Sequence, residues 1–290
     1  MTVLVFGKTG QLASELMKLE KKTKHDLIFF DRQEVNLLNP NACSDLIIKL
    51  KPNAVINAAA WTGVDVAEIH ERDASLINGE SPGAMARACN KLSIPILHIS
   101  SDYVFSGDGN IPWKSSDLAE PLGAYGRSKL LGEKLVHESG ARYIILRTSW
   151  VFSSHGSNFV KTMFNLGKKR EFIDVVCDQI GGPTSAKSIA NTSIILVEAL
   201  LNGDLGGIYH FSGAPNVSWE EFARTIMIKS GINCKINSIS TKDYPTQAPR
   251  PLNSRLNGDT LLKKFNIKKS DWISDLEEVI SELQGIRHEA

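Results

Sequence analysis

The first thirteen residues constrain the fold more tightly than any other stretch. Thr2-Val3-Leu4-Val5-Phe6 is a short apolar run of β-forming residues, and Gly7-Lys8-Thr9-Gly10-Gln11-Leu12-Ala13 follows it directly. Leu12, Leu16 and Leu19 then recur at helical spacing. Strand, glycine turn and helix in that order form the opening of a dinucleotide-binding unit. Gly7 and Gly10 let the backbone turn tightly and approach a pyrophosphate, whose charge meets the amides of Gln11 and Leu12 at the helix N-terminus. Ala13, the third small position, still permits close packing. Gly-Lys-Thr also invites a phosphate-loop reading, but that motif needs a glycine where Thr2 stands.

The same alternation continues. A strand over Leu27 to Phe30 ends at Asp31-Arg32, the distance at which such a fold reads the adenosine ribose: Asp31 suits a free 2′-hydroxyl, Arg32 a 2′-phosphate. A helix is predicted from Asn39-Pro40. Ala54 to Asn57 is a third strand running into Ala58, Ala59 and Ala60, small residues that leave room for a ligand or serve tight packing. Ala84, Met85, Ala88 and Leu92 are spaced as a helix, with Pro82-Gly83 blurring its first turn. Ile94 onward is a buried strand ending in Ser100-Ser101-Asp102, and Tyr143 to Leu146 is another, delivering Arg147-Thr148-Ser149-Trp150 to the same edge. The predicted class is therefore α/β, a Rossmann-type doubly wound parallel sheet.

Past Phe152 the rhythm changes, and 290 residues is a length at which one core tends to divide. We expect a dinucleotide-binding domain over residues 1–152, completed by part of 170–201, and a smaller C-terminal domain over most of 153–290. Ser218-Trp219-Glu220-Glu221 has the form of a capping box, and Trp272, Ile273, Leu276, Ile280 and Leu283 make the apolar face of a terminal helix. Lys+Arg 33 against Asp+Glu 32 gives no global reason to expect nucleic acid. Cys43, Cys89, Cys177 and Cys234 are scattered, without a zinc or disulfide pattern. No apolar run approaches a membrane span, and the expectation is a cytoplasmic protein.

Ala124-Tyr125-Gly126-Arg127-Ser128-Lys129 opens a helical pattern in which Tyr125 and Lys129, four residues apart, share one face. A free tyrosine titrates near ~10, so it donates a proton at neutral pH only with help from a neighbouring cation. Lys129 is placed to be that cation. Ser101, at the carboxyl end of its strand, lies where a reacting carbonyl would sit. Arg250 and Arg255 form a second polar constellation of the kind that can bind a diphosphate.

On these residues the chain resembles the dTDP-4-dehydrorhamnose reductase family of extended short-chain dehydrogenase/reductases along nearly its whole length. The motifs that carry the resemblance are Gly7-Lys8-Thr9-Gly10-Gln11, Asn57 to Ala60 with Val64-Asp65, Ser100 to Phe105, Tyr125 with Lys129, Arg147 to Val151, Asp178-Gln179 with Gly182-Pro183-Thr184, and Arg250-Pro251 with Asn253 to Leu256. The resemblance implies reduction of the C4 ketone of dTDP-4-dehydro-β-L-rhamnose by NADPH or NADH, giving dTDP-L-rhamnose for cell-surface polysaccharide. It implies Ser101, Tyr125 and Lys129 as catalytic residues. Gly7, Gly10, Gln11, Leu12, Asp31, Arg32, Ala58, Ala59 and Ala60 would hold the cofactor with Tyr125 and Lys129. Ser101, Asp102, Trp150 and Arg250 would bind the dTDP-sugar. Family members can form a homodimer through magnesium held by acidic residues; here Lys187 stands where a relative offers a carboxylate, so no metal site is expected although Glu15 is present.

Two other classes stay open on sequence. A nucleotide-sugar epimerase would keep NAD bound and return the hydride to the same sugar; a dehydratase would carry Asp-Glu where Asp102-Tyr103 stands. A regulatory dinucleotide-binding subunit is the non-enzymatic alternative, against which the retention of Ser101, Tyr125, Lys129 and Trp150 argues.

Overall fold

A computed structural model of the chain describes residues 1–285. Six parallel strands form its central sheet: β1 (Thr2–Phe6), β2 (Asp26–Phe30), β3 (Ala54–Asn57), β4 (Ile96–Ser101), β5 (Tyr143–Thr148) and β6 (Gly206–His210), in the order β6-β5-β4-β3-β1-β2. The order reverses between β1 and β3, which opens a crevice at the carboxyl ends of those strands.

Both faces of the sheet are covered, which is why its strands read as unbroken apolar runs. Val3, Val5, Ala54, Ile56, Leu97, Ile144 and Leu146 pack against helices α1 (Gln11–Leu19) and, from later in the chain, Ala186–Leu201. Their sequence neighbours Leu4, Phe6, Val55, Ile96 and Ile145 point the other way. They meet α2 (Pro40–Leu50), α3 (Ser81–Lys91) and Val136 of α4 (Ala124–Glu138). Asn39 caps α2 by accepting from the Ala42 amide, as the Asn-Pro pair suggested.

A separate core is built from residues after 150. Phe152, Val160, Met163, Ile173, Val175, Phe222, Ile226, Trp272, Leu276 and Ile280 are buried together. Phe172–Val176 pairs in parallel with Lys235–Ile239, and Ile180–Gly181 lies between Val217–Ser218 and Asn253–Ser254. Ser218 and Glu221 form the expected capping box of the helix Trp219–Ser230.

Residues 170–201 give the large sheet only the helix from Ala186; the sixth strand comes later, at Gly206–His210. Gly206 and Gly207 both have positive φ, and a Cβ at Gly206 would lie 1.7 Å from the Tyr143 carbonyl oxygen. The strand must start on glycine, and that removes the apolar signal by which the others are found. A π-helical turn, Leu76–Glu80, precedes α3 and accounts for the blurred start of that helix.

Candidate active site

The glycine turn is held by its own backbone. The amides of Gly7 and Lys8 both donate to the Phe30 carbonyl, at 3.0 and 3.1 Å, and Gly10 N donates to Gly7 O at 2.8 Å. Gly7 has φ +101°, and a Cβ there would lie 2.8 Å from Ala59 N. Ala58 N in turn donates to Phe6 O at 3.1 Å. Gly7, Gly10, Ala58 and Ala59 thus share one edge, and Gln11 and Leu12 begin α1 directly above it. Gln11 Oε1 accepts from Ser153 Oγ and Asn158 Nδ2, each at 2.9 Å, which ties the turn to the segment after β5. Ala60 is exposed at the outer end of this edge.

At the tip of β2, Asp31 Oδ1 accepts from the amides of Gln33 at 2.8 Å and Glu34 at 3.1 Å. Those two bonds hold its carboxyl below the usual range. Arg32 is exposed beside it, and Lys8 reaches Glu34 at 3.5 Å.

The chemistry gathers where β4 ends. Ser101 Oγ donates to Asp102 Oδ1 at 2.9 Å and accepts from Tyr103 N at 3.2 Å. Tyr125 stands in the first turn of α4, and its ring meets that of Tyr103 edge to face, centroids 5.4 Å apart. Gly126 makes this approach possible: a Cβ there would lie 2.2 Å from the Tyr103 carbonyl oxygen. The Tyr125 hydroxyl is close enough to Ser101 for the serine to draw its pKa down. Lys129, one turn on, is buried, with Nζ donating to the Ile99 carbonyl at 2.6 Å.

The electrostatics differ from the sequence expectation at one point. Lys129 was expected to draw the Tyr125 pKa down, but burial pushes it up to about 12, against the pull of the Ser101 hydrogen bond. The ammonium is committed to the Ile99 carbonyl. Burial also lowers Lys129 to about 8, opposed by Glu133 one turn further along. Glu133 is itself gripped by Arg147 through both oxygens, at 2.9 and 2.6 Å, and accepts from Ser100 Oγ. The pair is buried, and its balanced charges make it tolerable there.

Three residues that sequence reasoning left without a role fix α4. Asn78, in the π turn, accepts from Trp61 N at 2.8 Å and donates to Trp61 O at 3.0 Å and Ser128 Oγ at 2.9 Å. Glu68 Oε1 accepts from Ala124 N at 2.8 Å, satisfying an amide at the start of α4. Glu133 anchors the next turns to β5. Nothing in the local sequence marks Asn78, since its partners lie 17 and 50 residues away.

On the other wall, Trp150 is half-buried with φ +49°, a strained setting for an aromatic residue. One face stacks on Trp219 at 3.6 Å between ring centroids, and its edge covers Gly181, where a Cβ would lie 2.7 Å from the indole. Arg250 pairs with Asp65 at 2.6 Å, and the same carboxylate accepts from Ala248 N at 3.0 Å. Asp102 is 2% exposed, and its hydrogen bond runs to Ser101, so it sits behind the serine.

Away from this wall, Glu15, His155 and Glu282 bring ligand atoms within 4.8 Å of one another. Lys18 Nζ contacts Glu15 at 3.0 Å and Glu282 at 2.9 Å, and Lys187 pairs with Glu278. Magnesium favours an octahedron of oxygens. Two carboxylates and an imidazole already bridged by an ammonium do not fit it well, and no step of the chemistry is assigned to a metal.

The sequence model of the RmlD substrate binding domain matches residues 1–285. The chain is 38% identical to the dTDP-4-dehydrorhamnose reductase of Escherichia coli (strain K12), over 98% of both chains. Among solved structures, a dTDP-4-dehydrorhamnose reductase from Clostridium acetobutylicum superposes with TM-score 0.93 at 36% identity, covering 98% of this chain and 100% of that one. The Bacillus anthracis dTDP-4-dehydrorhamnose reductase, solved in complex with NADP, superposes with TM-score 0.90 at 33% identity over 97% of this chain and 99% of that one. Among the described residues no helix is long and apolar enough to cross a membrane.

Proposed function

The chain belongs to the RmlD substrate binding domain family, that of the dTDP-4-dehydrorhamnose reductases, and from that premise we infer what it does and how. It is an NAD(P)H-dependent oxidoreductase that reduces the C4 ketone of dTDP-4-dehydro-β-L-rhamnose in dTDP-rhamnose biosynthesis. The observation that carries the mechanism is the convergence of Ser101, Tyr125 and Lys129 at the carboxyl end of β4.

The cofactor would lie along the edge made by Gly7, Gly10, Gln11, Leu12, Ala58, Ala59 and Ala60, with Asp31 and Arg32 at its adenosine end. The close approach of Gly7 to Ala59 leaves backbone and no side chain facing the pyrophosphate. When bound, the nicotinamide supplies a hydride to C4. Tyr125 donates its hydroxyl proton to the ketone oxygen as negative charge develops there, and Ser101 steadies the same oxygen. Lys129 keeps a positive charge one turn from the forming phenolate. Trp150 covers the apolar face and methyl group of the deoxysugar, and Arg250 exchanges Asp65 for the diphosphate. A cytoplasmic homodimer belongs to the same reading.

Supplying dTDP-4-dehydrorhamnose with NADPH or NADH and determining the product by NMR tests it. dTDP-L-rhamnose is expected. A 6-deoxytalose epimer would overturn the sugar orientation, and turnover without added reductant would point to an epimerase.

A further inference from the structure

Hydrogen counting around Ser101 exposes a conflict. Its hydroxyl has one proton and two lone pairs. One lone pair takes the Tyr103 amide, at 3.2 Å, and the proton is directed at Asp102 Oδ1, 2.9 Å away. An ionised Asp102 can only accept, so it fixes that direction. In that state the Ser101 proton is committed to Asp102 and is not offered to a ketone.

The surroundings of Asp102 do not favour the ion either. It is 2% exposed, makes no salt bridge among the described residues, and its Oδ2 has no hydrogen-bond partner. The titratable groups packed around it are Tyr103 and Tyr125, with the Asp65–Arg250 pair beyond them. Lys129 is turned to Ile99. Leaving a carboxylate oxygen buried and unpaired is expensive, whereas a neutral carboxyl costs far less.

We propose that Asp102 works as a neutral carboxylic acid and a positioning residue: its proton, donated to Ser101 Oγ, releases the Ser101 hydroxyl to donate to the ketone beside Tyr125. During turnover no bond is made or broken at Asp102; it sets only the direction of the Ser101 hydroxyl proton. Burial pushes its pKa up to about 6, against the pull of the Ser254 and Ser101 hydroxyls, so both forms are within reach of ordinary buffers.

The inference rests on the reductase reading, and the test separates the two. Measure kcat/KM for dTDP-4-dehydrorhamnose with NADPH from pH 5 to 8.5 for the full chain and for Asp102→Asn, whose amide donates to Ser101 at every pH. Wild-type kcat/KM should fall tenfold or more with rising pH through a limb that begins near pH 6. Asp102→Asn should lack that limb, and Asp102→Ala should be slow throughout. A limb near pH 6 that persists in Asp102→Asn, or a uniform loss at all pH values, overturns the proposal, whereas a limb near pH 8 belongs to Lys129.

A second measurement does not depend on the substrate or on the variants folding. Carboxyl ¹³C NMR of aspartate-labelled wild type, assigned through the backbone, should show Asp102 titrating near pH 6. Titration near the ordinary aspartate value of ~3.9 overturns the proposal even if the protein takes another sugar. Failure to reduce dTDP-4-dehydrorhamnose, with Asp102 titrating as expected, would sink only the substrate assignment.

Discussion

The indoles of Trp150 and Trp219 lie face to face, ring centroids 3.6 Å apart and planes inclined by 11°. Trp219 opens a helix of the second core, while Trp150 lies two residues past the end of β5 in the central sheet, so the stack joins the two halves of the site. It also explains how a tryptophan can be held at φ +49°.

Trp150→Ala should raise KM for the nucleotide sugar roughly two- to tenfold, the value of one aromatic contact of about 0.5–1.5 kcal/mol. NADPH affinity should change little. Trp219→Ala should produce a smaller shift in the same direction, because it frees the indole without removing it. If both variants keep the wild-type KM, Trp150 packs the protein and does not touch the sugar.

Tyr125→Phe removes one hydroxyl and leaves the ring that packs on Tyr103. Turnover should fall by ~10²–10⁴-fold, the usual contribution of a general acid, with cofactor binding retained. Near-normal turnover, read by NADPH oxidation, would take the proton donor elsewhere.

Arg32→Ala should lower kcat/KM for NADPH more than for NADH, since Asp31 is occupied by the Gln33 and Glu34 amides and Arg32 is the exposed cation beside it. Equal losses with the two cofactors would mean that Arg32 does not read the 2′-phosphate.

Asn78→Ala strands Trp61 N–H and Trp61 C=O, while Ser128 keeps its bond to the Tyr125 carbonyl. Each unsatisfied group costs ~1–3 kcal/mol, so urea unfolding should show a loss of about 2 kcal/mol or more. A loss under about 1 kcal/mol would show that water replaces the side chain.

His210 is fully buried, with Nδ1 2.9 Å from the Trp113 carbonyl and Nε2 3.4 Å from the Arg147 guanidinium. It therefore donates on one side and accepts on the other as a neutral ring. Burial first, then Arg147, depresses its pKa to about 3. The unfolded chain binds a proton near 6.5 that the folded chain refuses, so this contribution to stability is complete above 6.5 and is lost as pH falls toward 3. The slope is roughly 1.4 kcal/mol per pH unit. His210→Gln keeps a donor and an acceptor and should be less acid-sensitive than wild type between pH 7 and 5. Identical slopes would show that His210 is not held neutral.

What the sequence revealed and what it hid divide along physical lines. β1, β3 and β4 and the Ser101, Tyr125 and Lys129 motif are legible because burial on both faces and a helical i, i+4 spacing leave local signatures. β6 is hidden because Gly206 and Gly207 supply conformation in place of hydrophobicity. Asn78, Glu68 and Glu133 act through partners far along the chain, and a hydrogen bond across 50 residues has no spacing to read. The Tyr125–Lys129 pair shows the converse: the spacing is right, but Ile99 takes the ammonium and burial sets the tyrosine.

The approach of Gly7 to Ala59 also divides the cofactor edge by how freely it can be rewritten. Where main chain meets main chain with no room for a Cβ, the protein has no side chain to exchange, and that portion is closed to redesign. Lys8, Arg32 and Glu34, by contrast, stand in the open at the tip of the same edge. On the proposed reading, holding a dinucleotide and choosing between two of them fall to different kinds of atom. A library confined to those three exposed positions could move cofactor preference while the fold beneath it stays as it is.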